Sequence, residues 1–163
     1  GIPMIFMGQE FLTWGAWSDG VQLDWSNAGR FPGIIDLYRD LIHLRRNWYD
    51  NTRGLRGQNI NVYHVNDTDK VIAFHRWDNG GAGDDVVVIA NFADRSYYSY
   101  NVGLPRAGLW RVRFNGDWEG YSSAFTNFAS YDLQTAEPGA DMMPCSGSVG
   151  LGPYTALILS QDT

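Results

Sequence analysis

Positive charge is scarce in this chain. Its 163 residues carry 12 basic against 18 acidic side chains, a formal net of −6, and Lys70 is the one lysine. Nucleic acids and anionic membranes recruit basic patches, so neither is an expected partner. Cysteine is nearly absent too. Cys145 stands alone and cannot close an internal disulfide, which fits a reducing compartment. The three histidines, His43, His64 and His75, lack metal-ligand spacing. Long apolar runs are also missing. Ile2 to Met7 and Val86 to Ala90 are far short of the roughly 20 residues that cross a bilayer. No basic, apolar, small-residue leader opens the chain. These absences lead to an expectation of a cytoplasmic protein with no metal and no cofactor.

What the chain has in abundance is aromatic and glycine residues. It holds 7 Trp, 9 Tyr, 8 Phe and 19 Gly, with 44% hydrophobic residues overall. That mixture suits β structure with tight turns, and surfaces that stack on flat ligands. The chain opens at Gly1, directly in an apolar segment, which suggests that it was cut from something longer.

Charge divides the chain in two. Residues 1–57 hold six bases and six acids, whereas residues 58–163 hold six bases and twelve acids. The break near Gly54-Leu55-Arg56-Gly57 marks a module boundary. In the first module, Pro3 to Met7 reads as a strand buried on both faces, as in a parallel sheet. Gly8 to Arg30 reads as a long loop. Pro32 to Trp48 reads as an amphipathic helix, with Ile34, Leu37, Tyr38, Leu41, Leu44 and Trp48 on one stripe. Pro32 suits its first turn, and Arg45 and Arg46 suit its C-terminal end. One strand and one helix leave backbone edges and apolar faces uncovered. This module therefore needs the rest of a parallel barrel, the second module as a lid, or another copy of itself.

The second module reads as strands only. Ile60 to Val65 and Lys70 to Trp77 flank Asn66-Asp67-Thr68-Asp69 as a hairpin. Asp78 to Asp84 is a flexible loop, and Asp85 to Phe92 a core strand. Tyr97 to Val102 and Leu109 to Phe114 alternate around the turn Gly103 to Gly108, and Pro153 to Ser160 closes the chain. This spacing suggests a mainly β protein, an antiparallel sandwich of about seven strands.

Chemistry has few candidates. Glu10 with Asp19 or Asp24 is formally a pair of carboxylates of the kind that flanks a glycosidic bond. In a Gly/Ser-rich loop such groups more commonly cap helices or face water. Trp14 and Trp17 either stack on a sugar ring or pack over a barrel end, while Trp77, Trp110 and Trp118 sit in or beside strands and favour packing. The alternative is a non-catalytic β module, either purely structural or holding α-glucan on surface aromatics such as Trp77 and Trp118. The hairpin brings His64 and His75 within reach of one another, but no third metal ligand is indicated. Cys145 has no CxxC partner. Gly81 to Asp85 lacks the Lys-Ser/Thr ending of a phosphate loop.

GIPMIFMGQEF (Gly1 to Phe11), LDW (Leu23 to Trp25) and LYRDLIHLRR (Leu37 to Arg46) resemble the end of the catalytic barrel in the α-amylase superfamily, 1,4-α-glucan branching enzymes above all. VIAFHRW, DDVVVIANF, YNVGLPRAGLWRVRFNGDWEGYSSAF and GPYTALILSQD resemble that family's C-terminal all-β domain, so the likeness spans essentially the whole chain. The resemblance implies that residues 1–57 are the last strand, loop and helix of a (β/α)8 barrel. Residues 58–163 would be the C-terminal Greek-key β-sandwich, domain C. It implies an α-glucan substrate such as starch or glycogen. It places the three catalytic carboxylates on earlier strands, so none is assigned here. Gln9, Glu10, Trp14 and Trp17 would line or support the glucan cleft.

Overall fold

The computed structural model describes residues 3–163. Gly1 and Ile2, which open the apolar run expected as a barrel strand, lie outside the described residues. From Pro3 onward that run forms no strand. Met4, Ile5 and Phe6 stay exposed instead. The reason is topological. A strand buried on both faces exists only between hydrogen-bonded neighbours, and the described residues offer it none. The chain then passes through a 3-10 turn at Gln9–Phe11 into helix α1 (Ser26–Arg30) and helix α2 (Pro32–Arg45).

Eight strands follow: β1 (Asn59–Asn66), β2 (Val71–Trp77), β3 (Val86–Asn91), β4 (Tyr97–Leu104), β5 (Leu109–Asn115), β6 (Leu133–Gln134), β7 (Cys145–Leu151) and β8 (Ala156–Ser160). Six of them make one antiparallel sheet in the order β1-β2-β3-β8-β5-β6, and β4 pairs with β7 in a second. The β1–β2 hairpin forms as the sequence suggests, with Asn59 opposite Trp77 and Asn66 opposite Val71. The strands flanking Gly103 to Gly108 do not pair with each other. β4 crosses to the small sheet and β5 joins β8 in the large one.

The large sheet is covered on both faces. Towards the small sheet it sends Val71, Ala73, Val87, Ile89, Trp110, Leu157 and Leu159, which meet Val102, Leu104, Val149 and Leu151. From the opposite face Val86, Val88, Phe114 and Ile158 pack with Leu44 of α2, Leu55 and Tyr121. Leu37 and Leu41 of α2 add to this second cluster. That is why β3 reads VVVIAN without polar alternation: its odd and even residues enter different cores. Each such aliphatic side chain, fully buried, contributes about 1.5–3 kcal/mol.

Helix α2 is thus one wall of the sandwich. Pro32 starts it in the position where no amide hydrogen is needed, and it runs as helix to Arg45. It stops short of Trp48 because Asn47, at a φ of 56°, turns the chain. Gly33 in its first turn lets the helix approach. A Cβ there would lie 2.4 Å from the Tyr121 carbonyl oxygen and 2.6 Å from that of Gly120. Beyond the helix, Thr52 Oγ1 donates to the Leu44 carbonyl at 2.8 Å, and Arg45 donates to the Leu55 carbonyl. The second module therefore supplies one of the lids that the first needs. The helix flank carrying Ile42 stays exposed.

Candidate functional site

Two pockets among the described residues are lined by exposed tryptophans. The first is built from the segment before α2. Gly8, at a φ of 77°, turns the chain back on itself, and a Cβ there would meet Thr13 Oγ1 at 2.2 Å and the Phe11 ring at 2.7 Å. Backbone donors from Phe11 and Thr13 both reach the Gly8 carbonyl. The turn buries Phe11 against Trp25, with ring centroids 5.0 Å apart. It leaves Trp14 95% exposed and Trp17 59% exposed, with Trp17 standing 6.4 Å from the Phe6 ring.

The four residues singled out from the sequence occupy different positions on this surface. Gln9 is exposed and its Oε1 accepts from the Phe6 amide at 3.0 Å, bracing the turn. Glu10 is half-buried, and its Oε2 is enclosed without a hydrogen-bond partner. Trp14 lines a pocket of about 220 Å³ with Met7, Thr13, Val21, Leu23 and Asn27. Gln9, Glu10 and Trp17 stand outside that pocket's lining. Asp24 does local structural work. Its carboxylate accepts from the amide of Ser26 at 3.0 Å and from its hydroxyl at 2.6 Å, and these bonds hold its pKa below the ordinary range.

The remaining sequence candidates go elsewhere. His64 bonds to Asp141 and to the Tyr100 hydroxyl, each at 2.9 Å. His75 bonds to Asp85 at 3.0 Å and stacks on Trp77 at 4.5 Å. The two histidines therefore serve separate clusters. Among the described residues no group of three or more His, Cys, Asp or Glu could hold a metal ion. Cys145 is buried in the core between the sheets. In the loop before β3, Asp84 accepts from the amides of Asp78, Asn79 and Gly80 at 2.7–2.9 Å, which orders the turn.

The second aromatic surface lies on the sandwich, in the stretch between β5 and β6. Trp118 is 49% exposed, whereas Trp110 is fully buried and donates its Nε1 hydrogen to the Arg106 carbonyl at 3.0 Å. A pocket of about 410 Å³ opens beside Trp118, lined also by Arg113, Asn115, Asn127, Phe128 and Ser130. The sequence favours packing for Trp118, with sugar binding as the alternative, and the structure leaves it exposed. Its neighbours in GDWEGY, two glycines and two acids, are the local signal that an indole there has little chain to hide beneath.

Residues 62–162 match the family model described as the α-amylase C-terminal all-β domain. Curated relatives are 1,4-α-glucan branching enzymes. That of Mycobacterium ulcerans (strain Agy99) is 33% identical over 168 aligned positions, covering 98% of this chain and 22% of the relative. That of Xanthomonas oryzae pv. oryzae is 34% identical over 130 positions, covering 76% of this chain and 18% of the relative. The chain thus spans about a fifth of the length of the curated relatives it matches. Among solved structures, the pullulanase of Anoxybacillus sp. LM18-11 shares the fold. It superposes with a TM-score of 0.59 at 21% identity, over 99% of this chain and 21% of that one. No described helix is long and apolar enough to cross a membrane.

Proposed function

Since the chain belongs to the family of the α-amylase C-terminal all-β domain, we propose that it is the C-terminal part of an α-glucan-active enzyme of branching or amylase type. In this reading residues 1–57 are the last strand, loop and helix of a (β/α)8 barrel, and residues 58–163 are the Greek-key sandwich that closes it. Gln9, Glu10, Trp14 and Trp17 line or support the glucan cleft from the loop that follows the last barrel strand, the side on which such barrels carry their ligands. The protein works in the cytoplasm on starch-like or glycogen-like chains.

The catalytic carboxylates belong to earlier barrel strands. The whole enzyme would cleave by the retaining route. One carboxylate attacks the anomeric carbon and forms a covalent glycosyl intermediate, while a second protonates the departing oxygen and then activates the acceptor. A sugar hydroxyl as acceptor gives branching, and water gives hydrolysis. In this reading the chain's own contribution is binding and support.

One observation carries the reading. Helix α2 is fixed to the sandwich through Leu37, Leu41 and Leu44, yet the segment leading into it exposes Met4, Ile5, Phe6, Leu12 and Val21. A surface of that kind asks for a further layer, and a barrel provides it. Purified residues 1–163 will therefore release no sugar from soluble starch and introduce no new branches. Turnover clearly above blank would overturn this. Sedimentation addresses the remaining partner, since the same apolar surface in isolation favours self-association through residues 1–57.

A further inference from the structure

We propose that Trp118 is the stacking platform of a glucan-binding subsite on the sandwich itself, outside the cleft assigned to the barrel. This rests on the α-glucan reading for the identity of the sugar. The case for a pyranose site rests on the pocket alone.

The indole is exposed and held at the same time. It lies over Gly120, where a Cβ would come within 2.4 Å of the ring, and stands perpendicular to Tyr121 with centroids 4.9 Å apart. Tyr121 is itself buried and stacked on Phe114 at 5.7 Å. An indole that floated free would lose rotamer entropy on binding; this one has already lost it in folding.

The loop beneath is equally fixed. Asp117 is buried, and its carboxylate accepts from the amides of Thr126 and Phe128 at 2.8 Å each and from the Thr126 hydroxyl. Asn115 donates to the Phe128 carbonyl at 2.9 Å. These bonds close residues 115–128 into a compact loop that has no regular structure of its own.

The polar groups around the pocket suit a neutral polyhydroxylated ligand. Asn127 holds a left-handed backbone at a φ of 54°, and its Oδ1 accepts from the Glu119 amide at 3.3 Å. Its side-chain nitrogen has no partner among the described residues and remains free to donate. Ser130 has a buried hydroxyl with no hydrogen-bond partner. Among the described residues Arg113 is the one cation lining the pocket, and Asp162 already pairs with it. An anionic ligand would find no uncompensated charge here, whereas sugar hydroxyls would find donors and acceptors beside an apolar face. The volume of about 410 Å³ falls within the roughly 300–1,000 Å³ of small-molecule sites.

The placement gives the subsite a use. The carbonyls of Gly120 and Tyr121 rest on Gly33 in the first turn of α2. In a βα unit that end of the helix marks the rim where ligand-binding loops gather. Trp118 would hold a stretch of glucan beside the cleft.

Isothermal titration of the full 163-residue chain with maltoheptaose, and with β-linked cellohexaose, tests this on the wild type and on W118A, N127G and W48A. Thermal melts identify any variant that fails to fold, and N127G, whose left-handed backbone glycine tolerates, carries the test if W118A does not fold. The expected result is maltoheptaose binding that weakens about tenfold or more in W118A. N127G weakens it several-fold, and W48A, an exposed indole elsewhere, leaves it unchanged. Binding of cellohexaose alone, still dependent on Trp118, would support the pyranose site and overturn its assignment to α-glucans. No binding of either sugar, or binding indifferent to Trp118 and Asn127, would overturn the inference and leave the enzyme-part reading to its own assay.

Discussion

The Tyr121 hydroxyl donates to Asp40 Oδ2 at 2.6 Å and so joins the loop under Trp118 to helix α2. Burial, together with this bond and the charge of Asp40, pushes the Tyr121 phenol well above its ordinary range. A hydrogen bond to a charged acceptor at a half-buried site is worth about 1.5–2 kcal/mol. Y121F should therefore lower the unfolding midpoint by about 3–8 °C, taking roughly 2–4 °C per kcal/mol for a domain of this size. The Phe114 stacking should survive. An unchanged midpoint would mean that the helix is held by its apolar face alone.

Gly33 gives the second prediction. Alanine is normally the better helix residue by about 1 kcal/mol. Here a Cβ would press on two backbone carbonyls of the sandwich, which cannot rotate aside as a side chain could. Overpacking of this kind costs about 1–3 kcal/mol, so G33A should destabilise despite the propensity gain. Chemical denaturation measures it, and a stabilised G33A would show that α2 stands further from the loop at Gly120 and Tyr121.

Asp85 predicts the acid limb of stability. Burial opposes its ionisation, but hydrogen bonds from His75, the Gly81 amide and Arg106 outweigh that opposition and hold its pKa below the ordinary 3.8. A carboxylate with a depressed folded pKa stabilises fully above its unfolded value and loses that contribution as pH falls through the folded one. Unfolding free energy should therefore drop between about pH 5 and the folded pKa. D85N should be less stable than wild type at pH 7, and the gap should narrow on acidification. A gap that widens below pH 4 would contradict the assignment.

Hydrogen exchange should divide the chain between Arg30 and Pro32. Amides of α2 face the second core through Leu37, Leu41 and Leu44 and should exchange only on global unfolding, with the sheet. Residues 3–25 contribute one side chain, Phe11, to the buried set and should exchange orders of magnitude faster. L41A tests the same point, because the whole sandwich should lose stability cooperatively.

Much of this fold is legible in the residues themselves. The β1–β2 hairpin follows from a four-residue turn between alternating strands, and α2 from the i, i+3, i+4 stripe of Leu37, Leu41 and Leu44. Strand β7 is not legible. Its sequence, CSGSVGL, carries little β-propensity, and it exists because β4 offers it a partner from Tyr97 to Leu104. Period alone could not tell that β4 and β5 separate at Gly103 to Gly108, since alternation names a face and not a neighbour. Pro3 to Met7 fails for the opposite reason: its pattern is strand-like, but a strand needs edges to pair with. Trp14 and Trp17 are legible as loop tryptophans, whereas the setting of Trp118 depends on a glycine beneath it and on the adjacent Asp117, whose buried carboxylate is tied to Thr126 and Phe128 far along the loop.

A chimera tests the central claim most directly. Residues 1–163 replace the aligned stretch of the Mycobacterium ulcerans branching enzyme, with which they share 33% identity over 168 positions. The measurement is glucan turnover by a chimera whose melt is cooperative and whose near-ultraviolet spectrum is native-like. The account predicts that this protein transfers or hydrolyses α-1,4-glucan, and that the 163-residue chain alone does neither. A well-folded chimera without turnover, or an active isolated chain, would contradict it.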